Sequence, residues 1–436
     1  MKSITRKQLE KFHKAYHENT MNKVIENAIY NNGIDEVCLN HSIIEENQPI
    51  FNIELPKAKA YDQKQSGRCW CYATINMIKY NVAQNMNVKV EDLDLSVAYL
   101  TFFDRLEKSN NVYENVITSE KFDFEYLKEE KLLLYGEGGQ FIYARELIKK
   151  YGLMPAVYMK DSISSSRSNK LNLLFQEKIK SDCKKIIELK KEKASMEKIR
   201  QEKEKMLEEN YIFLSKILGE PISEFNLEYY DKEHKLIQCG KMTPLEFKER
   251  FLTINLDDYV SLYHLPRYNR TLYHKYIRKY HGNVIGHSKV EYVCVTPEEL
   301  AKCAIKQLKD GCPVPFICPT AKYWYRKDWI LDTRIFNYQQ VLDFTPMTKA
   351  DEFDFYDVNP NHVMTFVGVH VVNRKPIRWK VENSWGTIKD MKQYMVMNQS
   401  YFEECVLEVI IHKKYLSKKI KEAFNREPEV IEVDEW

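Results

Sequence analysis

The chain lacks several features that would have placed it in a narrower class. No stretch approaches the roughly 18 uninterrupted apolar residues of a membrane span. Residues 1–8 are polar and show no apolar run of a secretory signal. The ten cysteines are scattered, without the spacing of a disulfide framework, and read as free thiols of a reducing compartment. Charge of one sign is missing too. The 66 Lys and Arg stand against 63 Asp and Glu, a net +3, which does not favour nucleic acid or an acidic polymer as partner. A soluble, cytoplasmic protein is the expectation.

What is present is a long, well-packed composition. The 436 residues exceed one compact domain of ordinary size, and 30% charged with 13% aromatic residues is globular, not disordered. Residues 4–30 carry a helical period through Leu9, Phe12, Tyr16, Met21, Val24 and Ile25, ended by Asn31-Asn32-Gly33. A buried helix is predicted from Cys69 to about Tyr80, and another behind the turn Gly136-Glu137-Gly138-Gly139. Residues 172–217 are helical and rich in Lys and Glu, a solvated face or helix pair. Thr296, Pro297, Glu298 and Glu299 open a helix that Gly311 closes. Short apolar runs at 313–318, 363–372, 377–382, 394–397 and 405–411 then read as strands. The first half is mainly helical and the last third mainly β.

A cysteine nucleophile needs a thiolate, a base, a group orienting that base, and donors for an oxyanion. Cys69, at the predicted helix start, has the positive end of a helix dipole to favour its thiolate. Cys71 is a rival, but two residues turn a helix by about 200° and aim it into the core. Gln63 lies six residues upstream across a turn with Gly67, so its amide is expected near the thiol, beside the Cys69 N–H. Among eleven histidines, His362 alone ends a polar loop and begins an apolar strand, where it can face a cleft. Asn383 follows twenty-one residues later in Glu382-Asn383-Ser384-Trp385-Gly386. Antiparallel pairing through Asn373-Arg374-Lys375-Pro376 would set it beside His362. There its carbonyl would fix the ring tautomer, and Trp385 would shield the bond.

At these residues the sequence resembles the papain superfamily, and more narrowly the bleomycin hydrolase and aminopeptidase C family. Matching segments include Gln65-Ser66-Gly67-Arg68-Cys69-Trp70, Lys150-Tyr151-Gly152-Leu153-Met154-Pro155 and Gln307-Leu308-Lys309-Asp310-Gly311, and coverage is nearly the whole chain. The resemblance implies an α+β, papain-like two-lobed fold: a helical lobe plus a β-barrel-like lobe, with a helical insertion and an N-terminal helical arm. It divides the chain into an arm (1–55, for oligomerisation), a Cys69 lobe (56–165), the insertion (166–280), a lobe with His362 and Asn383 (281–415) and a tail entering the cleft (416–436).

It further implies a cysteine aminopeptidase of short peptides, without metal or organic cofactor, assembled as a homohexamer around a chamber. Gly138, Gly139, Trp385 and the terminal Trp436 would bind substrate, the tail carboxylate capturing the free amine. The tail departs from the family pattern, stopping several residues short and ending Asp434-Glu435-Trp436. A cysteine endopeptidase on the same scaffold is therefore an alternative. So is a nucleic-acid-binding oligomer, because a Lys-lined chamber can hide within a neutral average.

Overall fold

The computed structural model describes residues 1–133, 135–279, 282–287, 289–320, 322–358, 360–386 and 394–431. The expected helical arm is two helices, Arg6–Glu18 and Thr20–Asn32, that bury no residue. Asn19 breaks them apart by capping the second, its side chain accepting from the Met21 N–H. Gly33 ends the second at φ 85°, a left-handed value that glycine adopts without strain.

The helix Cys69–Met86 runs through the centre of the molecule and has buried residues all around it. Helices Val97–Thr118 and Phe141–Tyr151 pack on one side of it, and Asn169–Lys191 and Met196–Leu218 lie beyond them. The last two are the charged run read from the sequence, resolved as a pair broken at Glu192–Ser195. Each turns an apolar stripe inward, Phe175, Ile179 and Ile186 in one and Met206 and Leu214 in the other, while the Lys and Glu stay wet.

On its other side the central helix packs on the strand His362–Val372. Among the described residues this strand belongs to a twelve-stranded mixed sheet. The run Val314–Cys318, His362–Val372, Lys375–Glu382 and Tyr394–Asn398 is antiparallel throughout. The predicted hairpin is tighter than expected. Asn373 and Arg374 alone form the turn, both at positive φ (49° and 65°), as a two-residue hairpin with right-handed strand twist requires. Lys375 and Pro376 already lie in the second strand.

Residues 166–280 are not helical throughout, contrary to expectation. Phe225–Tyr230 and Leu236–Met242 form a separate hairpin, and Tyr259–Tyr263 and Lys275–Arg278 are strands of the large sheet. Those two strands are short, and their apolar residues pair with partners distant in sequence, so no local period announces them.

One buried ion pair crosses the layers. Lys79 of the central helix and Glu382, the residue before Asn383, are both fully buried with Nζ and Oε1 3.7 Å apart. Burial lowers the Lys79 pKa, and Glu382 opposes that. The ammonium also donates to the Lys59 carbonyl at 3.0 Å and lies 4.5 Å from the Tyr61 ring centre. Removing one partner of such a pair strands the other charge in the core. Lys79→Met is expected to destabilise by roughly 3–5 kcal/mol in urea unfolding, and Lys79→Met with Glu382→Leu to recover much of that loss.

Candidate active site

Cys69 opens the central helix, and the residue before it, Arg68, provides no side-chain cap for the first amides. Arg68 is instead fully buried, held by Asp161 at 2.5 and 3.2 Å and by the Ser66 hydroxyl at 2.9 Å. The uncapped N–H groups of Cys69 and Trp70, with the N–H of Val363, act on the Cys69 thiol and draw its pKa down. Burial acts more strongly, and the thiol stands above its ordinary value. The helix-dipole expectation thus has the right sign of local effect, and the dry surroundings outweigh it. Cys71 is fully buried in the core.

His362 begins its strand opposite Cys318 and is 5% exposed. Its Nε2 lies 2.8 Å from Asn383 Oδ1. That oxygen also accepts from the Ser384 N–H at 2.8 Å, while Asn383 Nδ2 faces the Met395 sulfur at 3.6 Å. An amide oxygen can only accept, so Nε2 carries the ring proton and Nδ1 keeps its lone pair. Burial pushes the His362 pKa down to about 4, against a smaller upward pull from Asn383. Val363, whose backbone N–H is among the groups that lower the Cys69 pKa, is the next residue of the strand. The Trp385 ring stacks on the imidazole at 4.7 Å and 24°, the shielding position expected of it.

Gln63 is stitched to the segment that carries Asn383. Its N–H donates to the Ser384 carbonyl (2.8 Å), and the Ser384 hydroxyl donates to Gln63 Oε1 (2.6 Å). Gly386 closes the same stitch, its N–H donating to the Tyr61 carbonyl at 2.8 Å. Gln63 Nε2 donates to the Ser66 carbonyl at 2.7 Å. One of its two N–H groups is thereby used on the loop before Cys69, which the spacing argument did not anticipate.

Gly138 and Gly139 wrap over Trp70, the neighbour of Cys69. A Cβ at Gly139 would fall 2.7 Å from the indole, whereas one at Gly138 would meet open space. Lys108 Nζ donates to the carbonyls of Gly136 (3.0 Å) and Gly138 (2.7 Å), and the Trp70 indole Nε1–H to that of Glu137 (3.1 Å). Trp436, the fourth substrate-binding expectation, lies outside the described residues.

Glu137 was not singled out from the sequence, yet its side chain organises this wall. It accepts from the Gly67 N–H (2.8 Å), Arg105 (2.5 Å), the Ser168 hydroxyl (2.6 Å) and Asn172 (3.0 Å). The only hint was an acid inside a run of glycines. Burial alone would raise its pKa, but Arg105 and these donors hold it below the ordinary carboxylate range.

The Peptidase C1-like family profile matches residues 3–436. Aminopeptidase C of Listeria monocytogenes is 35% identical over 435 residues, covering 98% of this chain and 96% of its own. Aminopeptidase E of Lactobacillus helveticus is 33% identical over 427 residues, with 96% and 95% covered. A crystal structure of PepW from Lactobacillus rhamnosis superposes with a TM-score of 0.92 at 33% identity, covering 98% of this chain and 97% of that one. The papain-like α+β fold expected from the motifs is thus shared over the whole length.

Glu137→Gln leaves the Arg105 guanidinium, 1% exposed, without its carboxylate, and is expected to cost roughly 3–5 kcal/mol. Because the folded pKa of Glu137 is lowered, its contribution is present above the unfolded value of about 4.3 and fades as pH falls through the folded one. Urea midpoints from pH 6 to 3 should therefore drop more steeply for wild type than for the variant.

Proposed function

As a member of the Peptidase C1-like family the chain is a cysteine-type peptidase, and we propose that it removes single residues from the free amino end of short peptides. The observation that carries the residue roles is the His362–Asn383 bond at 2.8 Å, set beside the uncapped start of the Cys69 helix. Cys69 is the nucleophile and His362 the base. With Nε2–H held by Asn383, Nδ1 takes the thiol proton as sulfur attacks the carbonyl carbon. The Cys69 N–H and the second N–H of Gln63 receive the oxyanion. His362 then gives its proton to the leaving amine, and a water activated by the same ring releases the acyl group. Trp385 keeps bulk water off the imidazole throughout.

Burial favours the uncharged thiol and imidazole in the resting site. No metal or organic cofactor enters this chemistry.

Aminopeptidase action requires that the space ahead of the scissile bond be closed. The names of the relatives support it, Aminopeptidase C and Aminopeptidase E among them. The path of the tail supports it as well. Its last described strand, Glu429–Ile431, runs parallel to Lys275–Arg278. Arg278 acts on the Tyr143 hydroxyl, and the Tyr143 ring packs edge-on to Trp70 at 6.1 Å. In this reading the residues after Ile431 run on toward the cleft, and the carboxylate of Trp436 is the group assigned to the amine of a bound peptide.

The arm fits assembly with further copies of the chain. Leu9, Phe12, Met21 and Val24 are each more than half exposed on two helices that bury nothing of their own, an apolar surface that another protomer would cover. Closed symmetric assembly, a hexamer by resemblance, is our reading. A cytoplasmic location suits ten free cysteines.

Cys69→Ala should lower kcat/KM on aminoacyl arylamides by 10⁴-fold or more, and Asn383→Ala by roughly 10²-fold. The imidazole must be neutral to accept a proton, so wild-type kcat/KM should fall as pH drops through about 4. Free peptides should be cut and N-acetylated ones spared, with loss of that preference when residues 433–436 are removed. Equal cleavage of acetylated peptides by wild type would mean an endopeptidase. Deletion of residues 1–32 should shift the sedimentation profile to smaller species.

A further inference from the structure

The buried pair of Lys79 and Glu382 joins two elements that each carry part of the site. Lys79 stands on the Cys69 helix, about three turns beyond the thiol. Glu382 immediately precedes Asn383, which holds the His362 ring, and it lies opposite Thr365 of the His362 strand. Neither side chain of the pair is exposed, and Nζ and Oε1 are 3.7 Å apart.

The same ammonium has a second attachment. It donates to the Lys59 carbonyl at 3.0 Å and lies 4.5 Å from the Tyr61 ring centre. Two tyrosines fix the chain just before it: Tyr80 donates to the Pro56 carbonyl (2.8 Å), and the Ala58 N–H donates to the Tyr394 hydroxyl (3.3 Å). Both hydroxyls feel the Glu382 charge. From Lys59 the chain runs on to Tyr61, whose carbonyl accepts from the Gly386 N–H, and to Gln63, whose N–H donates to the Ser384 carbonyl, each at 2.8 Å. Lys79, residues 59–63 and residues 382–386 thus form a closed ring of contacts. One corner of the ring carries Gln63 and another carries Asn383.

We propose that Lys79 is a positioning residue for the reaction, setting the Asn383 amide against the His362 ring through Glu382 and the Gln63 amide toward the thiol through residues 59–61. It touches no reacting atom, and it has this role only if Cys69, Gln63, His362 and Asn383 act as proposed above. Support of this kind fixes catalytic geometry, and a misplacement of about 1 Å can cost up to roughly 10²-fold in rate. A pair that merely filled the core would be replaceable, because apolar side chains of similar volume restore stability to a buried ion pair. Met and Leu would fill the space, but Met cannot donate to the Lys59 carbonyl and the two cannot hold residue 382 at a fixed distance from it. Stability and activity should therefore separate.

The test measures urea midpoints, and kcat and KM on an aminoacyl arylamide, for Lys79→Met/Glu382→Leu in the wild-type and Asn383→Ala backgrounds. The double variant is expected to regain most of the stability lost by Lys79→Met, yet to lose about tenfold in kcat with KM changed by less than about twofold. In the Asn383→Ala background the same two substitutions should cost about threefold or less, since one of the two groups they position is gone. Should the double variant not fold, Glu382→Gln takes its place, with a loss in kcat of about threefold that likewise shrinks without Asn383. A folded variant with wild-type kcat, or a loss equally large with and without Asn383, overturns the positioning role. With Cys69→Ala inactive, either result leaves the peptidase reading standing. If Cys69→Ala keeps full activity, or wild type has none, the residue roles fall and the positioning role falls with them.

Discussion

Everything at the candidate site depends on how the Cys69–Met86 helix is buried. A helix with apolar neighbours on nearly every side is fixed in rotation and in depth, because any slip opens voids or strands polar atoms. Its first turn is the exception, uncapped and turned toward the start of the His362 strand. Thr365 bonds to the Ala73 carbonyl at 3.4 Å, and Lys79 meets Glu382 further along. Those two contacts set the height of the strand pair against the helix. The position of Asn383 follows from Glu382, and that of His362 follows from Asn383. The pair proposed to react, Cys69 and His362, is thus drawn from residues nearly 300 positions apart and held by contacts several turns away.

The loops around the pair show the same economy. Residues 61–63 and 384–386 are laced together by backbone bonds, and residues 136–139 lie on Trp70. Each loop uses its side chains or carbonyls on the protein first: Gln63 on Ser66, Gly138 on Lys108. What is left over for a substrate is correspondingly well fixed. Pre-organised donors of this kind need little rearrangement when charge develops.

Much of this was legible in the sequence because the signals were local. The capping box of Thr296 and Glu299, the strand after His362 and the helix after Cys69 each lie within a dozen residues of their cues. The pairing of His362 with Asn383 was also readable, since a short hairpin joins them. What escaped notice depends on contacts between distant segments. Glu137 looks like a solvent-facing acid among glycines until Arg105, Ser168 and Asn172 converge on it. The strands Tyr259–Tyr263 and Lys275–Arg278 are too short to show a period and owe their existence to the sheet they join. The sense of the Cys69 shift was misjudged for a related reason: a dipole can be inferred from position, but dryness only from packing.

The indole of Trp385 has one more consequence. It faces the imidazole of His362 nearly parallel on one side and two further indoles, Trp324 and Trp329, on the other at 5.2 and 6.2 Å. A positive charge arriving on that imidazole meets the electron-rich face of the indole, so the stack favours the protonated ring over the neutral one.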